Sequence, residues 1–321
     1  MISIRFLSSQ GVRFTEGKGQ VVRDCPGTKY HICCGYKTID LIEGCILFCS
    51  YCILRCYLNH GEIRVVNDTD YVIYQIREKI KNEKDHILRF GTGELSDSLA
   101  LDRRLKLNIP LIQFFGNEKR AIFELKSKWA SIDHLLPYLN KYVVISFSLA
   151  PQKIIESEEK RTSPLRKRLK TLKKAIDIGC YVGLHFDPIV VYPGFERDYE
   201  LMIEEISRTI DLKRVIWVSL GTLRFPKKLF DLLLEEKRKN LLSGEFVRGE
   251  DGKFRYLKKD RIRAYKILYD HLKEKENNLF IYLCMERADV WKEVTGEELI
   301  NDEDLVRKFD ERIRFLYGGG I

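Results

Sequence analysis

The stretch Glu43-Gly-Cys-Ile-Leu-Phe-Cys-Ser-Tyr-Cys-Ile-Leu-Arg-Cys56 places Cys45, Cys49 and Cys52 at spacings of three and two intervening residues. Three thiols this close together can face one metal centre. A cubane iron–sulfur cluster takes four ligands, normally cysteine thiolates, so three cysteines leave one iron open to a ligand that is not protein. Cys56 supplies a fourth thiol, and four thiolates would instead close a tetrahedral zinc site. The stretch therefore predicts an open iron–sulfur cluster, with structural zinc as the alternative.

The overall composition is that of a globular protein. The 321 residues are 45% hydrophobic and 32% charged, and the sequence has no apolar run long enough to span a bilayer. The N-terminal residues 1–6 lack the layout of a secretory signal, so we expect a cytoplasmic protein with no membrane partner. The formal net charge of +9 suits a nucleic acid partner, and a solvated basic surface explains it equally well.

Other cysteines lie outside the three-cysteine loop. Structural disulfides are rare in a reducing compartment, so nine cysteines favour metal binding over cross-linking. Cys25, Cys33 and Cys34 lie upstream of the three-cysteine loop without a clean paired spacing. We expect them to be structural thiols, because free cysteine commonly behaves as a small buried apolar residue. A second metal site is the alternative.

From residue 36 onward, strand-like apolar runs alternate with amphipathic helical segments. This alternation predicts an α/β fold with a parallel sheet, in a complete or partial (β/α) barrel, and an open doubly wound sheet is the alternative. The predicted strands are residues 38–42, 87–90, 121–125, 143–149, 182–191, 215–220 and 279–283. The predicted helices are residues 71–82, 163–178, 198–211 and 260–275, of which the second has an outer face rich in lysine and arginine.

Polar residues follow several predicted strands, at the end where a barrel places its active site. The three-cysteine loop follows the first strand, and Gly91-Thr-Gly-Glu94 follows the second. Lys126 and Lys128 follow the third strand, and Ser148 lies near the end of the fourth. Glycines at a strand end let the backbone approach a ligand closely, and Glu94 can accept hydrogen bonds from an ammonium group.

A hairpin interrupts the pattern near residue 250. Its centre is Asp251-Gly252, a dipeptide favoured in tight turns in which both central residues take positive φ. A basic hairpin with aromatic residues is suited to enter a nucleic acid groove or to separate bases. An ordinary surface hairpin is the alternative.

Short motifs along the chain, together with the three-cysteine loop, resemble the spore photoproduct lyase family of radical S-adenosylmethionine (SAM) enzymes. The resemblance covers about residues 36–295. The motifs are Arg89-Phe90, Ser96-Asp97, Asp102, Lys128-Trp129, Asp133-His134, Ser148, Thr162-Ser-Pro-Leu165, Gly183, Pro188 and Arg224-Phe225-Pro226. It implies a partial (β/α)6 barrel with a C-terminal β-hairpin and a helical extension. We expect an N-terminal extension (1–35), the barrel (36–235) and a C-terminal region (236–321).

The resemblance also implies cofactors and residue roles. Cys45, Cys49 and Cys52 would hold a [4Fe-4S] cluster, and SAM would occupy its open iron. Lys128 would contact the SAM carboxylate. The other implied contacts are Glu94 with the methionine amino group, Ser96 and Ser148 with the cofactor, and Tyr51 near the path of hydrogen transfer.

The sequence departs from the family pattern at two positions. Glu94 stands where the family carries a cysteine that donates a hydrogen atom, and a carboxylate cannot replace a thiol in that role. Ala150 stands where an asparagine is expected. The candidates for another donor are Cys56, Cys180, Cys284 and Tyr51; the alternative is that no donor is needed, because deoxyadenosine returns its hydrogen.

The function implied by the resemblance is reductive cleavage of SAM to a 5'-deoxyadenosyl radical, which abstracts hydrogen from a thymine dimer in DNA. The electron donor would be a flavodoxin or a ferredoxin. Two alternatives stay open: a radical SAM enzyme acting on RNA, a peptide or a small metabolite, and a non-catalytic zinc protein that binds nucleic acid.

Overall fold

The computed structural model describes residues 11–16, 19–58 and 61–318; residues 1–6, where no secretory signal is expected, lie outside this part. The strands are β1 Val12–Thr15, β2 Val22–Asp24, β3 Lys37–Ile39, β4 Ile42–Glu43, β5 Phe48–Cys49, β6 Ile63–Val66, β7 Leu88–Gly91, β8 Ala121–Ser127, β9 Val143–Ser148, β10 Glu159–Lys160, β11 Tyr181–Ile189, β12 Val215–Thr222, β13 Arg224–Phe225, β14 Phe246–Arg248, β15 Phe254–Tyr256 and β16 Ile281–Leu283.

The helices are α1 Leu54–Tyr57, α2 Thr69–Asn82, α3 Asp102–Leu105, α4 Asn108–Asn117, α5 Gln152–Glu158, α6 Leu165–Asp177, α7 Phe195–Thr209, α8 Lys227–Glu235, α9 Lys258–Lys275, α10 Ala288–Thr295 and α11 Asp302–Tyr317. A 3-10 turn, Leu212–Arg214, precedes β12. Within the described residues, every helix is too short or too polar to cross a bilayer.

One eight-stranded sheet, in the order β16-β12-β11-β9-β8-β7-β3-β2, organises the fold. Seven strands are parallel, and β2 pairs antiparallel with β3 at the edge. Every residue of β9 and β12 is buried, as expected for strands covered on both faces. Six of the seven predicted strands lie in this sheet, the seventh (residues 38–42) lies in it only as far as Ile39, and the predicted partial α/β barrel is confirmed. The domain boundaries stay a prediction.

The first predicted strand, residues 38–42, is wrong as a single element. β3 ends at Ile39, and β4 begins at Ile42 in a separate sheet beside β6. Asp40 separates them because its carboxylate pairs with Arg23 on β2, and its N–H donates to Val21 (2.9 Å). The chain therefore turns out of the barrel just before the three-cysteine loop.

The segment of residues 25–36 fills the seam between the two edges of the barrel. Its ends are tied together because the Cys25 N–H donates to the Tyr36 carbonyl (2.8 Å). In the middle, the Ile32 N–H donates to the carbonyl of Glu286, just after β16 (2.9 Å). This segment therefore lies between the β2–β3 edge and the β16 edge.

Helix α11 lies across the end of the barrel at which the parallel strands begin. The Asp310 carboxylate accepts a hydrogen bond from the Ile87 N–H (3.0 Å), and Arg312 donates to the Val215 carbonyl (2.8 Å). The Phe309 ring packs edge-on against Trp217, with centroids 5.9 Å apart. The barrel is thus closed at the amino ends of its strands.

The hairpin of β14 and β15 forms, but the predicted turn is wrong. Gly252 has φ +79, whereas Asp251 does not take positive φ. The loop spans five residues, 249–253, and is closed by a hydrogen bond from the Gly249 N–H to the Lys253 carbonyl (2.8 Å), so only one residue needs the left-handed region. The hairpin aromatic rings, those of Phe246, Phe254 and Tyr256, pack inward among Phe225 and Phe230.

Candidate active site

The three-cysteine loop is held on both sides at the carboxyl ends of the barrel strands. On one side, the Gly44 N–H donates to the Leu95 carbonyl (2.9 Å), in the loop after β7. On the other side, β5 pairs antiparallel with β10, and the Ser50 N–H donates to the backbone carbonyl of Glu158 (2.8 Å). The position of the cysteines is therefore set by backbone contacts with two distant segments.

Cys45, Cys49 and Cys52 line one cavity of about 420 Å³. The cavity wall opposite the loop includes Ser157, Glu158 and Lys160, with Arg238 at the rim. Cys56, on α1, is not among the lining residues. The structure thus brings the three predicted ligands together and leaves the fourth thiol of the loop aside.

The sulfur environments fit thiolate ligands. The Leu47 N–H donates to the Cys45 sulfur (3.4 Å), and the backbone of Leu54 opposes the rise that burial causes in the pKa of Cys52. Such hydrogen bonds stabilise cluster-bound thiolates. Burial raises the pKa of Cys45 to about 12, and burial also raises the pKa of Cys49. Soft thiolate ligands, backbone donors and room for a non-protein ligand suit a cluster with one open iron.

Within the described residues, no group of three or more Cys, His, Asp or Glu side chains is arranged around a single metal ion. Cys25, Cys33 and Cys34 nevertheless form a cluster in which the Cys33 thiol hydrogen-bonds with both others. The hydrogen bond from Cys33, together with the Arg89 guanidinium, lowers the pKa of Cys34 to about 5 against the effect of burial. The structural interpretation of these three thiols stays a prediction.

A buried group of charges lies beside the three-cysteine loop. Tyr51 donates its hydroxyl hydrogen to Glu159, and Arg168, which is 0% exposed, ion-pairs with the same carboxylate. The ammonium of half-buried Lys128 lies 5.8 Å from the Tyr51 ring centroid. Burial alone would lower the pKa of Lys128, but the negative charges of Glu159 and Cys49 raise it. Lys128 therefore presents a cation next to the sulfur ligands.

Asp97 connects this cation to the loop after β7. Its carboxylate accepts hydrogen bonds from the Ser127 hydroxyl and from the Lys128 N–H, both at 2.7 Å. The Asp97 backbone also lies close enough to Cys45 to oppose the rise of its pKa on burial. The neighbouring Ser96 is 8% exposed, and the structure therefore brings this predicted cofactor residue to the same rim as Cys45 and Lys128.

Ser148 is the last residue of β9 and is 5% exposed. Its carbonyl accepts a hydrogen bond from Arg168 (2.7 Å), which links it to the Glu159 carboxylate. Lys126 lies inside β8, one residue before the strand ends, and not after the strand as predicted.

Glu94 lies on the other flank of the site. It ion-pairs with Arg23 on β2, with an N–O distance of 3.3 Å. Burial raises the pKa of Glu94, and the Arg23 charge opposes that rise. Gly91, at the end of β7 and three residues before Glu94, serves a different purpose from the one expected. A Cβ at this position would lie 1.8 Å from the Tyr36 hydroxyl. Gly91 thus makes room for the seam segment and not for a ligand.

A second buried network lies deeper inside the barrel, around Glu124. One carboxylate oxygen accepts hydrogen bonds from Ser146, from the indole of Trp217 (2.9 Å) and from the imidazole of His185 (2.8 Å). Burial alone would raise the pKa of Glu124, but His185 and these donors lower it to about 2. The network ties strands β8, β9, β11 and β12 together below the candidate site.

We expect Glu124→Gln to destabilise the protein in a pH-dependent way. Because its folded pKa is depressed, the carboxylate contributes on the order of 3 kcal/mol above about pH 5, and this is lost as the pH falls towards 2. Urea unfolding of wild type and variant should differ most at pH 7 and converge on acidification. Glu235→Gln, on an exposed carboxylate, is the matched control, and a pH-independent difference for Glu124→Gln would contradict the charge argument.

The candidate hydrogen donors fall in different places. Cys180 lies just before β11, at the amino ends of the strands and far from the three-cysteine loop. Cys284 follows β16 at the carboxyl ends, where the Arg224 guanidinium lies 3.7 Å from its sulfur. Tyr51 is buried against Glu159, and Cys56 is half-buried on α1.

Three residues of the site were missed as functional candidates in the sequence. Asp97 appears there only as part of a family motif, and Glu159 and Arg168 lie in a run of charges that reads as solvated surface. Only Arg168 carried a signal, because it follows Leu165 by three positions and so lies on the apolar stripe of α6. Nothing local distinguishes Glu159 from the neighbouring glutamates.

Comparison with known proteins identifies relatives. The curated spore photoproduct lyase of Clostridium acetobutylicum is 26% identical over 175 residues, 53% of this chain and 51% of that protein. The spore photoproduct lyase of Bacillus subtilis (strain 168) is 26% identical over 193 residues, 59% and 56% of the two chains. The matched region therefore spans about half the length of these curated relatives.

A solved spore photoproduct lyase variant, with bound AdoMet and dinucleoside spore photoproduct, has the same fold. The TM-score is 0.74 at 22% identity, over 87% of this chain and 84% of that one. The sequence model of the family described as spore photoproduct lyase matches residues 32–284, which include the three-cysteine loop and nearly the whole barrel. This chain therefore belongs to the spore photoproduct lyase family.

Proposed function

We propose that the protein is a radical SAM lyase that repairs a thymine dimer of the spore photoproduct type in DNA. The observation that carries the proposal is the position of Lys128, a cation beside three cysteines that line one cavity. When bound, a [4Fe-4S] cluster and SAM supply a 5'-deoxyadenosyl radical by reductive cleavage. The solved relative with bound AdoMet and dinucleoside photoproduct supports both ligands for this chain.

In this proposal, side chains of the protein bind the two cofactors and orient them. Cys45, Cys49 and Cys52 would hold the cluster, and the Lys128 ammonium would pair with the carboxylate of SAM. Asp97 fixes the backbone of Lys128, so its ammonium is presented from a rigid strand end. Ser96 and Ser148 contribute hydroxyl groups at the same rim.

Glu94 suits a different group of SAM from the one that Lys128 would bind. Its carboxylate can accept hydrogen bonds from an ammonium group, and its raised pKa reflects partial burial next to Arg23. We propose that it receives the amino group of the methionine moiety. Its position also means that a hydrogen donor, where one is needed, comes from elsewhere in the chain.

The partners follow from the same chemistry. The substrate would be a lesion in DNA, and a flavodoxin or ferredoxin would supply the electron needed for reductive cleavage of SAM. We propose a cytoplasmic location, in keeping with a DNA substrate and with electron donors of this kind. The net charge of +9 supports a polyanionic substrate.

The test is anaerobic reconstitution with iron and sulfide, followed by reduction in the presence of SAM. We expect 5'-deoxyadenosine to form, and an oligonucleotide carrying the photoproduct to be converted to thymine monomers. Ultraviolet-damaged DNA without this lesion is the substrate control. 5'-Deoxyadenosine formation without repair of the lesion would point to RNA, a peptide or a metabolite as the substrate. A colourless protein with one bound zinc would overturn the radical SAM assignment.

Variants of Tyr51 and Cys56 extend the same assay to hydrogen transfer. We propose both residues as candidates, with Tyr51 supported by its burial beside Lys128. Tyr51→Phe or Cys56→Ala should still form 5'-deoxyadenosine but accumulate by-products of the unquenched substrate radical. Clean repair by both variants would remove them as donors.

A further inference from the structure

The most basic segment of the chain adjoins the candidate site. Residues 160–176 carry eight lysines and arginines and no aspartate or glutamate. The chain as a whole has 56 basic and 47 acidic residues, so a run this one-sided is not explained by overall composition. The segment covers the end of β10 and most of α6.

The segment begins at the three-cysteine loop. Lys160 on β10 pairs with Phe48 on β5, and the Ser163 N–H donates to the Lys128 carbonyl (2.9 Å). Helix α6 starts two residues later and runs back towards the amino ends of the strands. Its first two turns therefore lie at the rim of the site, and its last turn lies away from it.

The cations at the rim differ from those further along α6. Lys173 and Lys174, nearer the end of the helix, ion-pair with Asp177 and Asp133. In contrast, the exposed side chains of the first two turns have no carboxylate partner within the described residues. These are Arg166, Lys167 and Lys170.

This arrangement opposes local helix stability. The amino end of a helix favours negative charge, so surface cations placed there weaken the helix. The first turn of α6 carries Arg166 and Lys167 and no acidic residue. Their positions are therefore better explained by a ligand than by folding.

Aromatic rings lie among these cations. The Lys167 ammonium is 5.7 Å from the centroid of half-buried Trp129, and the Arg161 guanidinium is 4.5 Å from that of Phe48. Phe48 is 43% exposed. Basic side chains interleaved with aromatic rings form the type of surface that binds nucleic acid through phosphates and base stacking.

The hairpin is a weaker candidate for the same role. Its aromatic rings face inward, and two of its cations are paired, because both Arg255 (2.7 Å) and Lys253 (4.0 Å) lie within ion-pair distance of Asp251. The nearby Arg287 pairs with Glu250 (3.5 Å). Charge complementarity to a polyanion therefore favours the start of α6.

We propose that Arg166, Lys167 and Lys170, with Lys160 and Arg161, bind the phosphate backbone of DNA next to the lesion. The proposal rests on the proposed function for the identity of the nucleic acid. It assigns the α6 rim as the surface along which the strand leaves the site. Each neutralised phosphate releases condensed counterions, so binding through this surface depends steeply on salt.

The test is binding of reconstituted protein to undamaged duplex DNA, measured by fluorescence anisotropy over a range of salt concentrations. The rim variant combines Arg166→Gln, Lys167→Gln and Lys170→Gln. The control variant removes the same charge from exposed lysines at the amino ends of β8, β9 and β12, with Lys119→Gln, Lys141→Gln and Lys213→Gln.

We expect the rim variant to flatten the log–log salt slope by about 2 to 3 units, and the control variant to leave the slope unchanged. Thermal unfolding checks the fold independently, because removing cations from a helix start should not lower Tm. Equal slopes for the rim variant and wild type, an equal loss in the control, or tighter binding to RNA than to DNA would overturn the proposal. Since undamaged DNA is used, failure of the lesion assay with these slopes intact would reject only the repair function.

Discussion

Alanine in place of Cys45, Cys49 or Cys52, one at a time, is expected to reduce bound iron from about four per chain to below one and to abolish 5'-deoxyadenosine formation. Each of the three sulfurs lines the same cavity, and loss of one leaves two protein ligands for four irons. Iron analysis and the charge-transfer absorbance of the anaerobically reconstituted protein measure the first effect. Chromatography of the SAM cleavage products measures the second.

Two other cysteines are matched controls for this prediction. Cys180→Ala removes a buried thiol at the opposite end of the barrel and should retain both iron and SAM cleavage. Cys56→Ala removes a thiol of the same loop that does not line the cavity, and it should retain iron. If Cys56→Ala lost metal as fully as the other three variants, a four-cysteine site would replace the open cluster.

Arg168→Ala is expected to lower the free energy of unfolding by about 3–5 kcal/mol, because it leaves a buried carboxylate without its main cation. Arg168 is fully buried and donates to Glu159, to the Ser148 carbonyl (2.7 Å) and to the Ser163 carbonyl (2.8 Å). Burial alone would raise the pKa of Glu159, but Arg168 and Lys128 lower it. The stability from this pair is therefore present at neutral pH and lost on acidification below the ordinary glutamate range.

The double variant Arg168→Ala, Glu159→Ala separates charge from packing. Removing the stranded carboxylate as well should recover part of the lost stability, because half-buried Lys128 can be solvated while buried Glu159 cannot. Urea unfolding of the two single variants and the double variant provides the coupling energy. Strictly additive losses would show that Arg168 acts through its packing and its backbone hydrogen bonds alone.

The alternation of strands and helices predicted the barrel because the parallel strands are mostly apolar runs separated by amphipathic helices. All residues of β9 and β12 are buried, and the few polar residues within them, such as Ser146 and Ser219, do not break the apolar pattern. The strand at residues 38–42 was misread for the opposite reason. Its break depends on Asp40 pairing with Arg23, which is 17 residues away, and local pattern cannot contain that contact.

The candidate site likewise contains residues that the sequence predicted and residues that only the structure revealed. Cysteine spacing alone identified Cys45, Cys49 and Cys52, because ligands of one centre lie close together in the chain. Lys128 and Ser148 were found because strand ends are visible in sequence and a barrel places them at one edge. Glu159, Arg168 and Asp97 were not found as functional residues, since a buried charge is recognisable only by the partner that stabilises it.

The sequence by itself determined the fold class, the three candidate sulfur ligands and the strand ends that surround them. Those features depend on short-range periodicity and spacing, which the chain carries locally. The tertiary structure alone decided that Cys56 stands aside, that Tyr36 fills the space over Gly91, and that the hairpin rings face inward. It also decided which cations lack partners, because charge pairing across segments depends on distances in space and not on order along the chain.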